Sequence, residues 1–177
     1  MDDDRRDRRA IASSLALDEL PPDAPAAQAA LDAYVRELDD RFPDHFVPGP
    51  MSAADVAELT RPRGAFVVAV HQGEPVACGG VRRLDPGTVE VKRMWVHRDW
   101  RGAGLGGRLL RHLEATAVDL GCRRIVLDTH RVLAEAVALY GRAGYREIER
   151  YNDNPYAEAW FEKRVAADPG AGPTLSR

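Results

Sequence analysis

Glu90-Val91-Lys92-Arg93-Met94-Trp95-Val96 reads as the end of a strand. After the polar link His97-Arg98-Asp99-Trp100-Arg101 comes Gly102-Ala103-Gly104-Leu105-Gly106-Gly107. The residues beyond it form an amphipathic helix: Leu105, Leu109, Leu113, Ala117 and Leu120 share one stripe, Leu110 widens it, and Gly121 is placed as its C′ residue. Glycines at this density weaken a helix. In return they let the backbone approach an anion, which the unpaired N–H groups and dipole of the first turn attract. Arg101 and Arg108 flank the loop and add charge-assisted contacts.

Working outward, the strand before the loop runs from Thr88 and alternates. Glu90, Lys92, Met94 and Val96 fall on one side; Val91, Arg93 and Trp95 fall on the other. Upstream, Ala65 to Val70 and Pro75 to Arg83 complete a meander, with His71-Gln72-Gly73-Glu74 and Leu84-Asp85-Pro86-Gly87 as turns. Gly79-Gly80 marks a bulge or the close approach of another backbone. Downstream come a strand (Arg124 to Asp128), a helix (Leu133 to Ala143, stopped by Gly144), a strand (Tyr145 to Tyr151), a loop and a last strand (Ala159 to Val165). Toward the N-terminus, Ala26 to Phe42 has helical spacing, and Ser52 N-caps a short helix ending near Leu59. Ile11 to Leu17 fits a first strand or a helix. This order predicts an α/β chain with one mixed sheet and helices on both faces. A single domain is expected over 11–165, between a disordered N-terminus (1–10) and a disordered tail (166–177).

The chain has 177 residues, 45% hydrophobic and 30% charged, with a net charge of −3, which suits one domain with a sizeable core. That charge gives no general pull toward nucleic acid or an anionic membrane. No apolar run spans a bilayer and the start lacks an apolar secretory segment, so a cytoplasmic location is expected. Cys78 and Cys122 are distant, not a CxxC pair, and read as buried small hydrophobes; no metal is expected.

Gly102-x-Gly104-x-x-Gly107 formally matches the dinucleotide fingerprint, but that motif needs a strand running directly into its first glycine, and here the approach is polar. A phosphate-binding P-loop needs Gly-Lys-Ser/Thr, which is missing from the loop. Arg101-Gly102-Ala103-Gly104-Leu105-Gly106 resembles the Arg/Gln-x-x-Gly-x-Gly/Ala signature of the GNAT superfamily of acyl-CoA-dependent N-acetyltransferases. Ala136-Val137-Ala138-Leu139-Tyr140-Gly141-Arg142-Ala143-Gly144-Tyr145 resembles its second motif, at the expected distance downstream. The ordered pair is far more specific than either half, and the resemblance covers about Ala65 to Val165.

The resemblance implies the GNAT fold, a mostly antiparallel sheet of six to seven strands. It also implies acetyl-CoA as cosubstrate and transfer of its acetyl group to a small-molecule or peptide amine. Met94, Trp95 and Val96 then line the pantetheine arm. Arg101, Gly102, Ala103, Gly104, Leu105, Gly106, Gly107 and Arg108 hold the pyrophosphate, and Arg142 approaches the phosphates. Tyr140 matches the general acid, the backbone near Met94 or Trp95 the oxyanion donor, and Glu90 a catalytic base, with His130 or a water chain as alternatives. Leu133 stands where many members carry an asparagine. The aromatic and amide segments Phe42 to Pro48 and Tyr151 to Tyr156 point to the acceptor, through Phe46, Tyr151, Asn152 and Asp153. A polyamine, an amino acid, an antibiotic amine and a protein N-terminus all remain open as acceptors. So do a monomer or homodimer, and a non-catalytic acyl-CoA-binding module.

Overall fold

The computed structural model describes residues 2–166. In chain order the elements are α1 (Asp2–Ser14), β1 (Asp18–Glu19), α2 (Pro25–Arg41), α3 (Ala53–Glu58), β2 (Gly64–His71), β3 (Glu74–Asp85) and β4 (Thr88–Val96). They continue as α4 (Leu105–Asp119), β5 (Arg124–Thr129), α5 (Ala134–Arg142), β6 (Arg146–Ile148) and β7 (Ala159–Arg164). One seven-stranded sheet has the order β1-β2-β3-β4-β5-β7-β6, and only β4 and β5 run parallel. The mixed, mostly antiparallel α/β architecture is as expected.

The apolar stripe of α4 (Leu105, Leu109, Leu113, Ala117) packs on one face of the sheet, against Val67, Ala69, Val81, Val89 and Val91. On the other face Ala27, Ala30 and Leu31 of α2, with Leu59, cover Phe66, Val68, Cys78 and Trp95. Ser52 caps α3 in a reciprocal capping box with Asp55, as its position suggests. Cys78 and Cys122 are both fully buried, and burial pushes the Cys78 thiol up to about 12.

Three readings change. Residues 2–10, expected to be disordered, belong to α1, and the helical reading of Ile11 onward holds through Ser14. Composition hides the anchors: Ala12 and Leu15 enter the core, Arg8 donates to the Asp99 carbonyl (2.6 Å), and Arg108 donates to that of Ala12 (3.0 Å). Second, the strand expected over Tyr145 to Tyr151 is only β6, because Tyr151 and Asn152 turn away to bond Glu90. Third, the alternation along β4 breaks. Cys78 pairs with Trp95 but Gly80 with Lys92, so two residues, Arg93 and Met94, stand opposite Gly79. Arg93 takes φ 54° at this bulge. Met94 and Val96 therefore share the α4 face with Val91, and Trp95 packs on the α2 face. Gly79-Gly80 did signal a bulge, but the extra residue lies in the partner strand. Side chains are what crowd the glycines: a Cβ would meet Leu113 at 2.9 Å from Gly79, and Leu59 at 2.8 Å from Gly80.

The expected tail lies almost wholly outside the described residues. No described helix is long and apolar enough to cross a membrane.

Candidate active site

The bulge opens the sheet. β4 pairs with β5 only through Thr88, Val89 and Glu90, opposite Arg124, Ile125 and Val126. Beyond Glu90, β5 continues beside β7 and β4 leaves it. His97 donates its N–H back to Val76 of β3. Successive backbone groups point to opposite edges. Those of Met94 and Val96 therefore face the gap, and the Val96 carbonyl accepts Arg101 Nε there at 3.1 Å.

Two cavities meet in the gap. One, of about 700 Å³, runs along Met94 and Val96 between the glycine loop and α5. The other, of about 220 Å³, lies under α2 and is lined by Tyr34, Phe46, Arg93, Asp128 and Tyr156 among others. Both share Tyr34, Met94, Leu133 and Tyr140, so the junction sits at the Tyr140 hydroxyl end of α5.

At the mouth of the larger cavity the first helical hydrogen bond of α4 runs from Arg108 N–H to the Gly104 carbonyl (3.1 Å). The N–H groups of Leu105, Gly106 and Gly107 precede it and have no helical acceptor. Gly104 reaches this cap at φ 89°, ψ −3°, a conformation open to glycine and strained for side-chain-bearing residues. The loop thus presents N–H groups without helical acceptors at the mouth of a long cavity.

Residues 31–145 match the sequence profile of the "Acetyltransferase (GNAT) family". The chain belongs to the GNAT acetyltransferases. It is 32% identical over 121 residues to an IAA acetyltransferase of Azospirillum brasilense, covering 68% of this chain and 79% of that one. Its fold is similar to that of a GNAT acetyltransferase from Staphylococcus aureus Mu50, with TM-score 0.74 and 18% identity over 86% of this chain and 100% of that one. It is also similar to an aminoglycoside 6'-N-acetyltransferase complexed with coenzyme A, with TM-score 0.65 and 21% identity over 87% and 99%.

Against this GNAT frame the expected residues separate. Met94, Trp95, Val96, Gly102, Gly104, Gly106, Gly107, Arg142 and Tyr140 all border the larger cavity. Ala103 and Leu105 are buried beneath the loop and contribute backbone alone. Arg101 does not reach out as a free cation: it bonds the Val96 carbonyl and ion-pairs with Glu37 of α2 and Glu135 of α5. Arg108 turns away altogether to the Ala12 carbonyl, because its place on α4 faces α1. The exposed cations left at the cleft are Arg9, Arg111 and Arg142; Arg9 was unforeseen because its segment was read as disordered, and Arg111 because it lies a turn into α4, past the glycine motif. Leu133, in place of the family's asparagine, is the N-cap of α5, makes no side-chain cap, and lines both cavities.

Glu37 clamps the gap, accepting from Trp95 Nε1 (2.7 Å), Arg101 and Arg41. Burial pushes its carboxyl up, but these hydrogen bonds outweigh it and hold the pKa below its ordinary 4.5. A depressed carboxyl pKa contributes stability that is present above 4.5 and lost as the pH falls through the folded value. Glu37→Gln is expected to lower the Tm at neutral pH. The gap to the natural protein should close as melts are repeated at lower pH, below the ordinary carboxylate range. A gap unchanged with pH would remove the charge argument.

Glu90 is fully buried on the α2 face and bonds Arg82 (2.9 Å), Tyr151 (2.8 Å) and Asn152 (3.2 Å), with Lys92 at 3.5 Å. It is not among the residues lining either of the two cavities that meet in the gap. Asn152 carries the network on to Asp128, and Asp128 does line the smaller cavity. Asn154 also donates to Asp128, at 3.0 Å. Tyr151 and Asn152 are thus supports, and Asp153 points to solvent beside Arg150. Phe46 lines the smaller cavity, edge-on to Phe42 (5.4 Å) and Tyr156 (4.8 Å). His130 also lines the cavity, stacked 4.5 Å from Phe42, with Nδ1 accepting from Val132 N–H (3.1 Å). Sequence reading missed Tyr34 and Asp128. The periodicity of α2 made Tyr34 look like core, and nothing local distinguishes Asp128 at a strand end. Among the described residues no His, Cys, Asp and Glu gather as a metal site needs.

Proposed function

We propose that the protein transfers the acetyl group of acetyl-CoA to a primary amine by direct attack in a ternary complex. The observation that carries this reading is the junction: a long cleft headed by an anion cradle meets a small polar and aromatic chamber at Tyr140. In this reading the Met94 and Val96 edge takes the pantetheine arm as an added strand would. The N–H groups of Gly104 to Gly107 take the pyrophosphate, and Arg142, Arg9 and Arg111 reach the outer phosphates. The amine lies in the small chamber beside Asp128.

The chemistry needs few groups. The acceptor ammonium first loses a proton, to solvent or through Asp128, which stands where Glu90 was expected to act; Glu90 positions Asn152 and through it Asp128. The free nitrogen attacks the thioester carbon, and the Met94 N–H stabilises the oxyanion. As the oxyanion collapses the C–S bond breaks. The nitrogen loses its second proton and the sulfur takes one from Tyr140, which solvent restores. Burial raises the Tyr140 phenol well above its ordinary range, so it is protonated at any assay pH. The same dry surroundings raise the proton affinity of the leaving thiolate.

Amine-dependent release of free thiol from acetyl-CoA tests the proposal directly. Acceptor-dependent release supports it; binding of coenzyme A without release on any amine favours a non-catalytic acyl-CoA-binding module. Arg9→Ala with Arg111→Ala is expected to weaken coenzyme A binding about tenfold at low salt, because exposed cations lose such contacts cheaply. The deficit should shrink toward 1 M salt, where the Debye length is about 3 Å. A salt-independent loss would instead indicate damage to the α1 packing.

A further inference from the structure

The small chamber holds two opposite charges, neither of which forms an ion pair with a described residue. Arg93 and Asp128 both line it. Asp128 is oriented by two neutral donors, Asn152 and Asn154, one on each carboxylate oxygen. The Arg93 guanidinium makes no hydrogen bond or ion pair with any described residue. No Arg93 nitrogen comes within ion-pairing distance of Asp128, so the two charges flank a gap. The other cation of the chamber, Lys92, is engaged by Glu90 at 3.5 Å.

Arg93 is half-buried, not a solvated surface arginine. Arg93 lines the chamber beside Tyr34 and Leu38 of α2. Burial raises the Tyr34 phenol and the Cys78 thiol, and in both Arg93 is the charge that opposes the rise; it also helps the Ser52 hydrogen bonds hold the Asp55 carboxyl of α3 below its ordinary range. It sits at the bulge, at φ 54°, where a non-glycine residue is strained. Around the two charges the wall includes the rings of Tyr34, Phe42, Phe46, His130 and Tyr156 and the aliphatic Leu38. The volume, about 220 Å³, lies below the roughly 300–1,000 Å³ of drug-sized sites.

We infer that the acceptor is a free amino acid with an apolar side chain, its ammonium group on Asp128, its carboxylate on Arg93 and its side chain among the aromatic rings. The inference rests on the acetyltransferase reading above and narrows it. A guanidinium matches a carboxylate with paired hydrogen bonds. The aromatic walls exclude water and make that pairing count. A polyamine would set a second cation beside Arg93, and a multi-ring aminoglycoside exceeds the chamber.

The test compares L-phenylalanine, phenylalaninamide, phenethylamine and a polyamine as acceptors for thiol release by the full chain. The natural protein should favour phenylalanine over phenethylamine and the amide by about 10²-fold in kcat/KM, since a site left with an unpaired buried group rejects the lacking analogue strongly. Arg93→Asn should erase that preference, losing about 10²-fold in kcat/KM on phenylalanine and far less on phenethylamine, which has no carboxylate to lose. Asparagine tolerates positive φ, so this variant should fold, and its activity on phenethylamine reports that directly. Equal turnover of the acid and its decarboxylated amine, or a preference that survives Arg93→Asn, overturns the inference and leaves acetyl transfer standing. Turnover of the polyamine alone does the same. Thiol release with none of the four and with no other amine, although coenzyme A binds, fails the acetyltransferase reading itself.

Discussion

Gly104→Val is expected to lower the affinity for coenzyme A by about a thousandfold. Gly104 is the N-cap of α4 at φ 89°, and a β-branched residue there is a genuine outlier. The strain of roughly 1–3 kcal/mol is relieved by rotating the peptide, which turns the N–H groups of Gly104 to Gly107 away from a common point. Each hydrogen bond to a charged group is worth about 1.5–3 kcal/mol, so losing two removes roughly 3–6 kcal/mol, or about 10²–10⁴ in Kd. The fold should survive, because nothing lies within 4 Å of where the new Cβ would stand. Calorimetric titration with a parallel melt checks both halves. Affinity within about threefold of the natural protein would remove the anion-cradle assignment.

Tyr140→Phe should leave coenzyme A binding unchanged and lower kcat by about 10²-fold, the lower end for a lost proton donor and about 2.7 kcal/mol of barrier. The ring is core: it lies 6.0 Å from Phe161 and 5.9 Å from Tyr145, contacts that phenylalanine keeps. The hydroxyl contributes little to folding, since its protein neighbour is the Met94 sulfur at 4.0 Å. Steady-state kinetics beside a coenzyme A titration separates the roles. An unchanged kcat would return Tyr140 to a packing role.

The fold was legible where one local signal settles one element. The α4 stripe, the Ser52 cap and the β4 boundaries all follow from spacing or capping chemistry. The bulge was half-legible: Gly79-Gly80 announces crowding on β3, but which strand carries the extra residue depends on the pairing register, a tertiary fact. The consequence for the site was large, because the slip puts Met94 and Val96 on the face of Val91 and leaves Glu90 on the other. The glycine loop and Tyr140, each read from its own motif, border the same cavity. The smaller cavity was located only by segment. Tyr151, Asn152 and Asp153 drew attention as polar loop residues, yet two of them brace Glu90 and the third faces solvent, while Asn154 and Tyr156 line the chamber. Arg108 looked like a phosphate ligand from its position after the loop, and only the docking of α1 explains why it is turned away.

The most direct test of the central claim, that the cleft headed by the glycine loop holds coenzyme A, is calorimetric titration of the purified chain with coenzyme A. The account predicts a single saturable site whose affinity falls with added salt. The absence of any binding heat, with the natural protein folded by its melt, would contradict it.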